Sequence, residues 1–170
     1  MLARALAVVR RLVGSQKWLA AHVRALSEAA GMPGGRRSSG AKPTADDTLY
    51  IADTLGEMES LFSAADITFL GGSLVPLGGH NPVEPAAHGL PVLTGPHLFK
   101  NSAEFGALET AGVVTLVEDA AGIADAAKAV CADSEKLAAI NGAGKAHAAK
   151  AGKRPANAAR LCLELLASGT

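Results

Sequence analysis

Residues 69–97 read "FLGGSLVPLGGHNPVEPAAHGLPVLTGPH", with six glycines, five prolines, three histidines and one carboxylate between two short apolar runs. Around this stretch the chain keeps a regular rhythm. "TLYIAD" reads as a strand, "GEMESLFSAA" as a helix and "ITFLG" as a second strand. "NPVEPAAHG" follows as a short helix, "PVLTG" as a strand, "AEFGALETAG" as a helix and "VVTLV" as a strand. Short apolar strands alternating with helices require crossover connections, and so a parallel sheet with helices on both faces. The pattern predicts an α/β, Rossmann-like fold. Helices over 119–131, 133–150 and 155–167 then close the chain.

The segment before residue 48 is less regular. "MLARALAVVRRLVGSQKW" carries Arg4, Arg10, Arg11 and Lys17 and no acid. That composition suits an organellar presequence or a membrane-surface helix. The helical spacing of Leu2, Leu6, Val9 and Val13 suits an ordinary helix packed on a sheet, and we favour that reading. "KWLAA" is expected as a short strand, and "HVRALSEAAG" as a helix closed by Gly31. Residues 32–47, "MPGGRRSSGAKPTADD", have no apolar period and are expected as a surface loop.

A length of 170 residues suits a single domain with a proper core. The chain is 49% hydrophobic but only 4% aromatic, so that core must be built from Ala, Leu and Val. Sixteen basic and sixteen acidic residues cancel, which removes any overall-charge argument for nucleic-acid binding. Cys131 and Cys162 lie far apart in alanine- and leucine-rich stretches without metal or redox spacing, as expected of buried thiols in a reducing cytosol. No apolar run approaches the roughly 20 residues needed to span a bilayer.

In open α/β sheets, ligands bind beyond the carboxyl ends of the strands, where loops turn into helix N-termini. Three such junctions, expected on one edge of the sheet, are "ADTLGEM", "GGSLVPLGGHN" and "TGPHLFKNSAEF". The first sets Gly56, Glu57 and Met58 at a helix start, where amides and the helix dipole favour an anion. Glu57 there serves either function or the dipole. In the second, Gly71 and Gly72 allow a sharp turn, Ser73 offers a hydroxyl and an amide, and Gly78 and Gly79 bring bare backbone up to Asn81. Asn81 has the chemistry of an N-cap, Pro82 fits the first helical position, and Glu84 sits where a capping box places its carboxylate. Pro85 leaves a second option, a helix starting at Pro85 with Glu84 on its flank.

His80, Glu84 and His88 recur every four residues, as a metal face would, but two prolines interrupt them and no two-histidine helical zinc motif is present. His88 is expected as a helix-end residue before Gly89. His97 in the third junction is either a ligand contact or a turn residue. No nucleophile elbow, Ser/His/Asp ordering or Walker-type loop is found. Lys100 is the one Lys or Arg between residues 43 and 127, so backbone amides and a helix dipole must hold most of any phosphate.

The runs "ADTLGEM", "GGSLVPLGGHNPVEP" and "NSAEF" resemble the 3-deoxy-D-manno-octulosonic acid (Kdo) transferases, the lipid A glycosyltransferases. The resemblance is close over residues 46–111 and looser to the C-terminus. It implies the C-terminal, donor-binding half of a GT-B enzyme, with residues 1–170 forming one Rossmann-like domain. The implied donor is CMP-Kdo, with CMP as product. The implied acceptor is a lipid A precursor at the cytoplasmic face of the bacterial inner membrane. It also implies transfer with inversion and with neither metal nor cofactor. Leu55, Gly56 and Glu57 would contact the CMP moiety, as would Asn81, Pro82, Val83 and Glu84, with Glu84 on the ribose. Gly72, Ser73, Gly79 and His80 complete the expected donor site.

The N-terminal domain of that family, with its membrane-associating segment and catalytic carboxylate, has no counterpart here, so no catalytic residue is expected in this chain and none of its own activity. "KWLAAH" resembles the family's first strand of this domain. It runs directly into "VRALSEAAG", where the family carries a further strand and a Pro-Arg-His-Pro segment. Arg36 and Arg37 sit in a loop of different character. The loss of a strand leads us to expect lower stability or self-association. Two other readings are a non-catalytic or degenerate nucleotide-binding module, and a GT-B domain for another nucleotide sugar.

Overall fold

The computed structural model describes residues 16–32, 34–44 and 47–152. The helices expected before residue 16 and over 155–167, and Cys162, lie outside the described residues. Helix α1 (Gln16–Ala29) is followed by strand β1 (Gly34–Arg36), a 3₁₀ turn (Arg37–Ser39) and β2 (Leu49–Ile51). The order then runs α2 (Met58–Ala64), β3 (Thr68–Leu70), α3 (Val83–Ala87), β4 (Val92–Thr94), α4 (Ser102–Thr110), β5 (Val114–Leu116), α5 (Ala120–Cys131) and α6 (Ser134–Gly152). Among the described residues all strand pairing is parallel, in a mixed α/β architecture with helices flanking the sheets.

From residue 48 to 150 the elements fall where the apolar rhythm places them. Three expectations need correction. "KWLAA" is not a strand but lies within α1. It is contiguous with the alanine- and leucine-rich segment after it, and summed helix propensity over fourteen residues outweighs a five-residue apolar run. Residues 32–47 are not loop throughout, because Gly34–Arg36 pairs with Leu49–Ile51. Gly34 has no apolar pattern to announce it. It fits because it lacks a side chain, since a Cβ there would overlap the Leu49 carbonyl oxygen. Among the described residues the strands also form a β1–β2 pair and a separate β3–β4–β5 sheet rather than one continuous sheet.

The core gathers on the three-stranded sheet. Leu70, Val92 and Val114 from its strands pack with Ala86, Phe105, Leu108, Val113, Val130 and Ile140. Helix α3 is too short to be stable alone and is held by its neighbours. It lies directly on α6, where a Cβ on Gly144 would come within 2.6 Å of the Ala86 carbonyl oxygen. Helix α6 is tied in turn to α4 by His147 Nε2 and Glu104 Oε2 at 2.8 Å. Thus α6 fixes where the loop before α3 must stand.

Candidate functional site

The second and third junctions meet at one sheet edge, because β3 and β4 are neighbours in register, with Leu70 opposite Thr94. Ser73 joins them. Its buried hydroxyl donates to the Leu70 carbonyl at 2.6 Å and accepts from the Gly95 amide at 2.8 Å. Its carbonyl accepts from the His97 amide at 3.0 Å. Ser73 was expected to offer its hydroxyl to a ligand. That hydroxyl instead clamps the carboxyl ends of two strands, and its full burial keeps it from solvent.

Gly79 needs a similar correction. Its amide donates to the Gly72 carbonyl at 2.9 Å, closing the loop on itself rather than facing outward. Neighbouring Gly78 accepts from the Lys100 amide at 3.3 Å, so the two loops lean on each other. Close approach of backbone is the reason for these glycines, but the partner is the chain's own 98–100 segment. The His97 amide serves this turn.

The outward-facing chemistry sits at the start of α3. Asn81 Oδ1 accepts from the Val83 amide at 3.0 Å, and Asn81 Nδ2 lies 3.4 Å from Glu84 Oε1. Pro82 is buried, helical in φ and ψ, and its carbonyl accepts from the Ala86 amide at 3.2 Å, so Asn81 caps the helix and Pro82 leads into it as expected, and a start at Pro85 is not taken. Asn81 is exposed, while His80, Val83 and Glu84 are half-buried. Gly72 stands below His80, since a Cβ there would lie 3.9 Å from the imidazole ring. His88 ends α3 as expected, with its Nδ1 3.2 Å from Ser63 Oγ and its ring 5.7 Å from Phe62, so α2 packs on the far end of α3.

The first junction follows β2 and belongs to the β1–β2 pair. Leu55 and Gly56 are exposed there. Glu57 Oε1 accepts from Arg37 Nε at 2.8 Å and Nη2 at 2.5 Å, and its other oxygen accepts from the Thr54 hydroxyl. The Arg37 guanidinium and the Thr54 hydroxyl hold the Glu57 carboxyl below the usual carboxylate range.

Deeper in the same junction Asp53 accepts from Arg36 Nε at 2.5 Å, the Ser38 amide at 2.9 Å and the Ser38 hydroxyl at 2.7 Å. Burial pushes the Asp53 carboxyl up, but the bonds from Ser38 and Arg36 outweigh it and hold it below its ordinary value. Sequence reasoning missed this network. Its partners lie 15 to 20 residues apart and only the pairing of β1 with β2 brings them together.

Among the described residues no group of three His, Cys, Asp or Glu side chains could hold a metal ion. No helix among them is long and apolar enough to cross a membrane. A cleft of ≈ 610 Å³ lies between α1 and the β1–β2 pair, lined by residues including Ser27, Met32, Gly35 and Ile51. None of the expected donor-site residues lines it, so the chemistry at the strand ends is a better guide to the site than that cleft.

No family model matches the chain. In sequence it is similar to 3-deoxy-D-manno-octulosonic acid transferases. It is 36% identical to the Haemophilus influenzae protein over 110 residues, 64% of this chain and 26% of that protein. It is 37% identical to the Bordetella pertussis protein over 120 residues, 70% of this chain and 28% of that protein. The chain therefore spans about a quarter of the length of these curated relatives. Among solved structures it matches the C-terminal CMP-Kdo binding domain of WaaA from Acinetobacter baumannii. The TM-score is 0.71 and the identity 26%, covering 75% of this chain and 67% of that one. The chain is thus akin to the Kdo transferases, and to their C-terminal domain in particular.

Proposed function

We propose that this chain binds CMP-Kdo as the donor domain of a Kdo transferase. The observation that carries this reading is the match in fold and sequence to a CMP-Kdo binding domain. The start of α3, where a partly exposed Glu84 stands beside Asn81, gives it a chemical basis. A carboxylate there accepts hydrogen bonds from a ribose diol, as the acidic residue does in other Rossmann-like nucleotide sites. Leu55, Gly56 and Glu57 approach the nucleotide from the first junction. His80, Asn81, Pro82 and Val83 approach it from the second, with Gly72, Ser73 and Gly79 shaping the loop beneath.

In the full reaction Kdo passes to a lipid A precursor at the cytoplasmic face of the inner membrane, and CMP leaves. Preorganised dipoles and cationic groups at the strand ends stabilise the charge on the departing phosphate. The donor half supplies no general base and the reaction uses no metal. The base and the acceptor site belong to a second domain.

Calorimetric titration of the chain with CMP and UMP tests the donor assignment. CMP is expected to bind in preference to UMP, and Glu84→Ala to weaken CMP by about tenfold, the loss of a hydrogen bond to a charged group. Absence of CMP binding, or preference for UMP, would refute it.

A further inference from the structure

Two arginines follow one another at the carboxyl end of β1, and the fold treats them differently. Arg36 is turned inward onto Asp53, whose side chain is only 8% exposed and already accepts two bonds from Ser38. Withdrawing Arg36 would leave a buried carboxylate short of a cation, which is strongly unfavourable. Arg37 is turned outward, with its side chain 43% exposed. Its Nε and Nη2 converge on a single oxygen of Glu57. That uses two of the five N–H groups of a guanidinium and shows its fork presented to an anion.

The geometry points to Arg37 as the side chain that binds the phosphate of the donor nucleotide, with Glu57 holding the guanidinium in place until the phosphate displaces it. This rests on the donor reading above. The pair stands at the carboxyl end of parallel strands, where such folds take their ligands. Positive charge is scarce there, since Lys100 is the one Lys or Arg between residues 43 and 127. An exposed ion pair contributes little stability and is therefore readily exchanged. A phosphate offers the same two-oxygen face as a carboxylate but more charge, so it takes the fork from Glu57 at a net gain. The part-buried Arg36–Asp53 pair stays in place and, with the Ser38 bonds to Asp53, keeps the 3₁₀ turn, and Arg37 with it, in position.

The test compares CMP with cytidine, which lacks the phosphate, by calorimetry on the full chain and its Arg37→Gln and Arg37→Lys variants. Arg37→Gln is expected to weaken CMP by about tenfold to a hundredfold, the loss of a charge-assisted bond. Cytidine affinity should stay within about twofold, because the lost contact is to phosphate. Arg37→Lys should recover part of the CMP affinity, keeping the charge without the fork. Circular dichroism melting checks that the variants fold. CMP affinity unchanged in Arg37→Gln, or equal losses for CMP and cytidine, would overturn the assignment. So would a wild-type chain that binds cytidine as tightly as CMP. A wild-type chain that binds neither would instead overturn the donor reading itself.

Discussion

Ser73→Ala separates a structural hydroxyl from a ligand-binding one. In the folded chain that hydroxyl is fully buried, donates to Leu70 at the end of β3 and accepts from the Gly95 amide at the end of β4. Alanine leaves the buried Gly95 N–H without its partner, at a cost of about 1–3 kcal/mol, and loses the bond to Leu70, worth about 0.5–1.5 kcal/mol. The sum is a destabilisation of about 1.5–4.5 kcal/mol. In a domain of this size each kcal/mol lowers the melting temperature by about 2–4 °C, so a fall of about 3–18 °C is expected. Urea and thermal unfolding followed by far-ultraviolet circular dichroism read this directly. CMP titration well below the transition should show a smaller loss of affinity, as the loop loses its anchor. A variant that melts with the wild type yet loses CMP binding would refute the reasoning, because Ser73 would then serve the ligand and not the strand ends.

Further substitutions probe the frame around the site. Gly144→Ala sets a methyl group against the Ala86 carbonyl, where the ideal contact would be 2.6 Å, and should cost about 1–3 kcal/mol in unfolding by urea. Gly142→Ala on the same helix meets nothing within 4 Å, and should be neutral or stabilise by up to about 1 kcal/mol from helix propensity. Thr94 Oγ1 is buried without a hydrogen-bond partner. Thr94→Val, a swap of similar shape, should therefore raise stability, by about 1 kcal/mol, in the same unfolding assay. Asp53 has its carboxyl depressed in the fold, so its contribution is fully present above its ordinary value of 3.8 and is lost as pH falls through the lower native value. Stability measured between pH 7 and pH 2 should show that acid-side loss, and Asp53→Asn should be less stable at neutral pH and show less of it.

Much of the architecture was legible in the sequence because apolar periodicity over residues 48–150 is local information. Each strand and helix there carries its own pattern, and glycines and prolines mark the turns. The start of α3 was legible for the same reason, since Asn81, Pro82 and Glu84 act within one turn of each other. "KWLAA" misled because five apolar residues suit a strand or a helix equally, and the fourteen-residue context decides. Gly34–Arg36 was hidden because a glycine strand has no pattern, only a neighbour that lets it come close.

Sequence alone thus determined the α/β class, the order of elements and the polar start of α3. Tertiary structure decided which polar groups face outward. Ser73 and Gly79 look like ligand donors when read along the chain, yet the fold commits their hydrogen bonds to Leu70, Gly95 and Gly72. Arg36 and Arg37 look alike in the chain, yet pairing of β1 with β2 turns one onto Asp53, whose side chain is largely covered, and the other onto half-exposed Glu57. The reason is physical: hydrogen bonds and ion pairs between distant segments depend on the register of strands, and register is fixed only when the chain folds.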